Sequence, residues 1–247
     1  MYTIVFPGIK KCQKKLIMIL SMAVIVHSAQ TDSIFQLAVV PFCKVNSVQG
    51  TLYRVQTFKS VVRESAGSLA YDINMGMFYS YSAPSKFDVI CSGDSIVSVD
   101  VRKNLGFKLD NDRYDILKNR DLDPLKKIFS ICLFDKKVVF LGSVDNLSIF
   151  GFKKSPNHKL PSITFGVERE TNKITLIECF DNWGNIIEQS ELYYDPKYPL
   201  LPSVIVARSM VGDSLLRDSI VVKYKKFQEK LEPQMFFVPS GLKYINK

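Results

Sequence analysis

Between Leu69 and Tyr81 the apolar residues recur at every second position. Leu69, Tyr71, Ile73, Met77, Tyr79 and Tyr81 share one parity, and Ala70, Asp72, Asn74, Gly76 and Ser80 the other, with Phe78 the only bulky residue out of step. Successive side chains of a strand point to opposite faces, so this period dictates strand and forbids an amphipathic helix. Thirteen residues exceed an ordinary strand. Asn74-Met75-Gly76 supplies a three-residue turn, with Gly76 free to take a left-handed conformation. That turn would pair Ile73 with Met77, Tyr71 with Tyr79 and Leu69 with Tyr81, giving a hairpin with one aromatic, sulfur-containing wall. Such a wall either packs into a core or lines a cavity, and the choice decides what the chain does.

The 247-residue sequence is 47% apolar, too much for a disordered chain. No stretch reaches the ~18 consecutive apolar residues of a membrane helix. Leu16–Val26 is an apolar run broken only by Ser21, preceded by Lys10, Lys11, Lys14 and Lys15 and followed by Ser28 and Ala29. A basic segment, a short apolar core and small residues read as a secretory signal peptide over residues 1–29, cleaved after Ser28 or Ala29. An N-terminal membrane anchor is the other reading of the same run. Cleavage would remove four lysines and no acids, taking the formal charge from +9 to +5 (9 − 4 = 5). That is an ordinary basic surface and not a nucleic-acid footprint. Cys43, Cys91, Cys132 and Cys179 would remain, enough for two disulfides in any of three connectivities.

Residues 32–45 read as a short apolar helix with Ser33 as N-cap and Pro41 kinking or ending it. A strand over Thr51–Arg63 follows, then the hairpin, then strands at Phe87–Ile90 and Ser95–Val101 about Ser92-Gly93-Asp94. Asp123-Pro124 opens a second short helix carrying Leu125, Ile128, Phe129 and Cys132. Strand patterns resume at 138–141, 146–152, 162–168, 173–180, 186–194, 203–209, 219–227 and 235–238, parted by Thr171-Asn172, Asp181–Asn185 and Gly212-Asp213. Their regular spacing suggests one antiparallel meander.

Catalytic kits are missing. His158 is the single histidine beyond the leader, which argues against a multi-His metal site and a His-dependent nucleophile. Gly212-Asp213-Ser214-Leu215 spells a hydrolase nucleophile block but has no histidine after it. Asp110-Asn111-Asp112 starts like a calcium loop, yet Asp115 stands where the glycine belongs and Asp121 where the glutamate does. What remains is abundance: 17 Phe, 11 Tyr and 7 Met on a strand-rich chain with two short helices. A twisted sheet that curls around those helices leaves an apolar concavity.

The order of these elements resembles a family. Gly67-Ser68-Leu69-Ala70-Tyr71 running into Met77-Phe78-Tyr79-Ser80-Tyr81-Ser82-Ala83-Pro84 looks like the LolA-type periplasmic carriers of outer-membrane lipoproteins. Val89-Ile90-Cys91-Ser92-Gly93-Asp94-Ser95-Ile96 resembles their next hairpin, which usually reads Asp-Gly where this chain has Gly93-Asp94. Ile177–Asn185 resembles a later hairpin, and Met235-Phe236-Phe237-Val238-Pro239-Ser240-Gly241 the closing Phe-x-x-Pro-x-Gly strand. Two features depart from the pattern. Ile73 stands where the family carries a lid-latching Arg, and residues 202–228 add roughly a hairpin.

The resemblance implies a mainly β fold over 30–247: a single curved antiparallel sheet forming an open half-barrel, with short helices plugging its concave side. It implies no enzyme and no cofactor. The implied function is a monomeric periplasmic carrier that shuttles acylated lipoproteins from an inner-membrane exporter to an outer-membrane acceptor, touching membrane surfaces transiently. A lipoprotein-binding sensor or receptor domain of the same superfamily is the alternative. The acyl-chain cavity is expected from Leu69, Tyr71, Ile73, Met77, Tyr79, Tyr81, Phe87 and Val89, and the lid from Phe35, Val39, Phe42, Leu125, Ile128 and Phe129. Methionine suits such a wall because its flexible thioether adapts to chains of varied shape.

Overall fold

The computed structural model describes residues 28–92, 95–100, 102–109, 124–129, 131, 138–152, 162–181 and 183–244. Residues 1–27 of the expected 1–29 signal peptide, the expected Gly93-Asp94 turn, the calcium-like Asp110–Asp121 stretch, Asp123, Cys132 and His158 lie outside them.

The chain is mainly β, with its antiparallel strands in one sheet that is not closed into a barrel. Helix α1 spans Ser28–Cys43. Strands β1 to β6 follow at Ser47–Phe58, Val61–Asp72, Gly76–Ala83, Phe87–Ser92, Ser95–Asp100 and Leu105–Leu109. Helix α2 is Pro124–Phe129. Strands β7 to β13 are Val138–Val144, Leu147–Phe152, Ile163–Glu168, Lys173–Phe180, Ile186–Tyr193, Val204–Val211 and Ser214–Phe227. A short β14, Lys243–Tyr244, pairs parallel to β6. The order is β14-β6-β5-β4-β3-β2-β1-β13-β12-β11-β10-β9-β8-β7. So the expected single meander is two runs of neighbouring strands, joined where β13 returns to β1 in register from Val48↔Phe227 to Phe58↔Leu216.

Several boundaries differ from those read in the sequence. The Thr51–Arg63 strand is two strands, broken at Lys59-Ser60, where Lys59 takes φ 55. Lys-Ser has no Gly, Asn or Asp to mark a left-handed turn position, so alternation ran straight through it. Ser33 is inside α1 and not its N-cap, and α1 ends two residues beyond Pro41. Met235–Val238 is no strand; Pro233–Phe236 forms a 3-10 turn, because Pro233 favours the first position of a helical turn. Each two-disulfide connectivity would need a bridge among Cys43, Cys91 and Cys179, and these three are not joined to one another.

The chain divides into two compact units, residues 1–40 with 133–189 and residues 41–132 with 190–247. In the first, Phe35 of α1 lies on the sheet, its ring 5.2 Å from Phe150 and 5.3 Å from Phe165. Those two residues pair across β8 and β9 and share a face. In the second, both faces of β2–β6 are apolar, and they are covered differently. One carries Ala70, Phe78, Ile90, Val97 and Val99, covered by Leu231, Met235, Phe236, Val238 and Leu242 from the C-terminal segment. That strap is pinned where Asn104 donates to the Gly241 carbonyl at 3.2 Å and Lys243 N–H to the Asn104 carbonyl at 3.1 Å. The other face carries the Leu69–Tyr81 wall.

Gly67 makes the close approach of β2 to β3 tolerable. A Cβ there would lie 2.2 Å from the Ser80 carbonyl oxygen and 2.9 Å from Tyr81 Cα, both backbone atoms that cannot swing away. Gly67→Ala should therefore part β2 from β3. We expect a loss of about 2–4 kcal/mol, in the upper range for single substitutions, read by thermal unfolding. A variant as stable as the parent would contradict this register.

Candidate functional site

The turn of the β2–β3 hairpin is Ile73-Asn74-Met75, three residues long as expected but set one residue earlier: Leu69 faces Tyr79, Tyr71 faces Met77, and Gly76, at φ 105, opens β3. Asp72 sets the turn by accepting from the Asn74 and Met75 backbone N–H groups at 2.9 and 3.2 Å. A shift of one pair preserves parity, so the wall survives but Ile73 does not join it. Ile73 sits in the turn, 49% exposed. The register extends the wall to Phe87 and Val89, opposite Tyr81 and Tyr79, and to Val48, Gly50 and Leu52 of β1. Beyond β1 it continues through Ile220, Val222 and Tyr224 of β13. The β1 and β13 residues were missed, although alternation through Ser47–Phe58 signalled them.

The wall rings stack. Centroids lie 6.1 Å apart for Tyr79 and Tyr81 and 4.6 Å for Tyr81 and Phe87. The Tyr79 hydroxyl donates to Met77 Sδ at 3.6 Å. Phe129 of α2 stacks on Tyr71 at 4.1 Å, placing the helix on the same face. Leu125, Ile128, Phe129 and Ile131 are all buried, as are Phe35, Val39 and Phe42 of α1. Within the second unit the apolar set is closed: Tyr79 is 1% exposed and Ile128 0%.

One polar band interrupts this face. Arg54 Nε donates to both oxygens of Asp218 at 3.0 Å, and its Nη2 makes a further ion pair with the same carboxylate. Arg54 Nη1 reaches the Tyr81 hydroxyl at 3.3 Å, and Gln56 Nε2 donates to Asp218 at 3.2 Å. Arg54 and Asp218 are 164 positions apart, beyond any motif. The arrangement offers shape, stacking and hydrogen bonding to a guest. Among the described residues no group of three His, Cys, Asp or Glu is placed to hold a metal ion.

The first unit holds a buried acid on the sheet face opposite Phe165. Glu178 accepts from Thr164 Oγ1 at 3.2 Å and from Gln189 Nε2 at 3.0 Å. Burial raises its pKa, and the two hydrogen bonds offset this in part. A carboxyl that holds its proton more tightly folded than unfolded favours the fold at low pH. That stability is lost as pH climbs through the folded value. Glu178→Gln should raise the unfolding midpoint at pH 7, with the gain vanishing below the ordinary carboxylate range; an unchanged or lower midpoint at pH 7 would contradict it.

No protein-family model and no curated protein matches the chain. Solved structures do. A LolA superfamily protein from Nitrosomonas europaea aligns with TM-score 0.58 at 11% identity, covering 86% of this chain and 99% of that one. A DUF1329 family protein from Desulfovibrio piger aligns with TM-score 0.56 at 10% identity, covering 83% and 96%. A domain from Vibrio parahaemolyticus described as a candidate outer membrane lipoprotein-sorting protein aligns with TM-score 0.57 at 9% identity, covering 83% and 95%. At such identities likeness speaks to architecture, and the architecture is a LolA-like fold.

Proposed function

We propose that the chain is a non-enzymatic periplasmic carrier that takes the acyl chains of lipoproteins onto the Leu69–Tyr81 wall and shuttles them between the inner and outer membranes. The observation that carries this reading is the stacked wall on a LolA-like sheet, capped by an amphipathic helix of only six residues. So short a helix has no stability of its own and holds its place by packing.

The closed geometry requires exchange. An acyl chain reaches Tyr71 only by displacing Phe129 of α2, so guest and lid compete for one surface. Exposing Leu125, Ile128, Phe129 and Ile131 costs about 6–12 kcal/mol. Sheltering a sixteen-carbon chain returns roughly 13 kcal/mol. The near balance suits a carrier, which must capture its cargo and then release it to a membrane.

Mass spectrometry of the chain isolated from an exporting bacterium tests this reading. Acylated species should co-purify with the parent and be lost from Val89→Glu, which sets a carboxylate against the wall at a half-buried position. Absence of acyl species from the parent, together with failure of a palmitoylated peptide to bind, would reject the carrier.

A further inference from the structure

The ends of β1–β2 and β12–β13 lie side by side in the second unit, because Phe58 pairs with both Val61 and Leu216. Val61 and Val62 are consecutive strand residues and so point to opposite faces, yet they are 62% and 59% exposed. Strand valines normally bury at least one face. Here neither face is covered, and each carries a further half-buried apolar residue, Leu216 with Val61 and Leu215 with Val62. Lys59, Arg63 and Arg217 stand within a few residues and are exposed. None of the three makes an ion pair among the described residues; Lys59 lies over the Phe58 ring at 5.6 Å.

We propose that these paired hairpin ends form a shallow docking edge for an anionic lipid bilayer. A flat protein partner would call for apolarity on one face. An end that is apolar on both faces, with cations just behind, fits a bilayer whose acyl region begins below its phosphate layer. Asp213 at the β12–β13 turn and Glu64, which accepts from the Tyr53 hydroxyl at 2.6 Å, limit the contact to headgroup depth. The proposal deepens the carrier reading by giving its membrane contact a place, but it rests on the surface and not on the wall.

The single tryptophan makes the test specific. Trp183→Phe combined with Val61→Trp moves the only indole from the β10–β11 turn to the proposed edge. The full chain is mixed with vesicles carrying brominated acyl chains, of phosphatidylcholine alone or with phosphatidylglycerol. Emission should shift to the blue and be quenched only with phosphatidylglycerol present. Neutralising Lys59, Arg63 and Arg217 to Gln should weaken vesicle binding about fivefold per cation, roughly a hundredfold together. An unquenched edge reporter, or quenching indifferent to the three substitutions, would overturn the proposal; circular dichroism confirms that each variant is folded. Uptake of a palmitoylated peptide is read on the same variants. Uptake without insertion sinks the docking edge alone, and insertion without uptake sinks the carrier alone.

Discussion

Ile128→Ala should weaken the empty fold and tighten acyl binding at the same time. Ile128 is fully buried on α2, and truncating a buried isoleucine to alanine costs about 2–5 kcal/mol. In an ordinary core that loss would fall on every state in which the core is packed, and any guest would bind no better. On a lid that must leave before a guest enters, the loss falls on the closed state alone. The equilibrium then shifts toward the open wall, and apparent affinity rises by the same free energy. A loss of ~2 kcal/mol corresponds to about thirtyfold tighter binding. Thermal unfolding of the empty chain and titration with a fluorescent palmitoyl probe read the two quantities separately. A variant that loses both stability and affinity would show that α2 is part of the binding surface and not its competitor.

Removing one partner of the Arg54–Asp218 pair should be the most damaging polar change. Asp218 is buried and accepts from Arg54 and Gln56, so Asp218→Ala leaves a guanidinium in an apolar wall with its partner gone. The expected cost is about 3–5 kcal/mol, a fall in midpoint of roughly 6–20 °C for a chain of this size. Replacing both, as Arg54→Met with Asp218→Leu, should restore most of the loss, because the desolvation of two charges disappears with their attraction. Circular dichroism melts of the two single variants and the double variant form a closed cycle. A mild effect of Asp218→Ala, within ~0.5 kcal/mol of the parent, would mean the pair is hydrated in solution.

Much of this site was legible in the sequence because it depends on parity. Alternation fixed which face Leu69, Tyr71, Met77, Tyr79 and Tyr81 share, and a turn displaced by one pair leaves that unchanged. Only Ile73 was lost, since a turn set one residue earlier takes the residue beside the apex out of the strand. Pro124 marked α2 correctly because a proline at the first helical position lacks only an N–H that would be unpaired anyway. Long-range partners were not legible. Nothing local distinguishes the β13 that returns to β1 from another meander strand, or pairs Arg54 with Asp218. The strap of Leu231, Phe236 and Leu242 was hidden for a related reason. Ala70, Phe78 and Ile90 sit on the opposite face from the wall, and Phe78, the one bulky residue out of step, was the signal that this face is covered too.

Hydrogen–deuterium exchange with and without a palmitoylated peptide tests the exchange of lid for guest most directly. Peptides covering residues 124–131 should lose protection when the ligand is added, as α2 leaves the wall, while residues 69–81 keep or gain it. Unchanged protection of 124–131 at saturating ligand would contradict the account, because the chain would then bind its guest without opening the one surface argued to receive it.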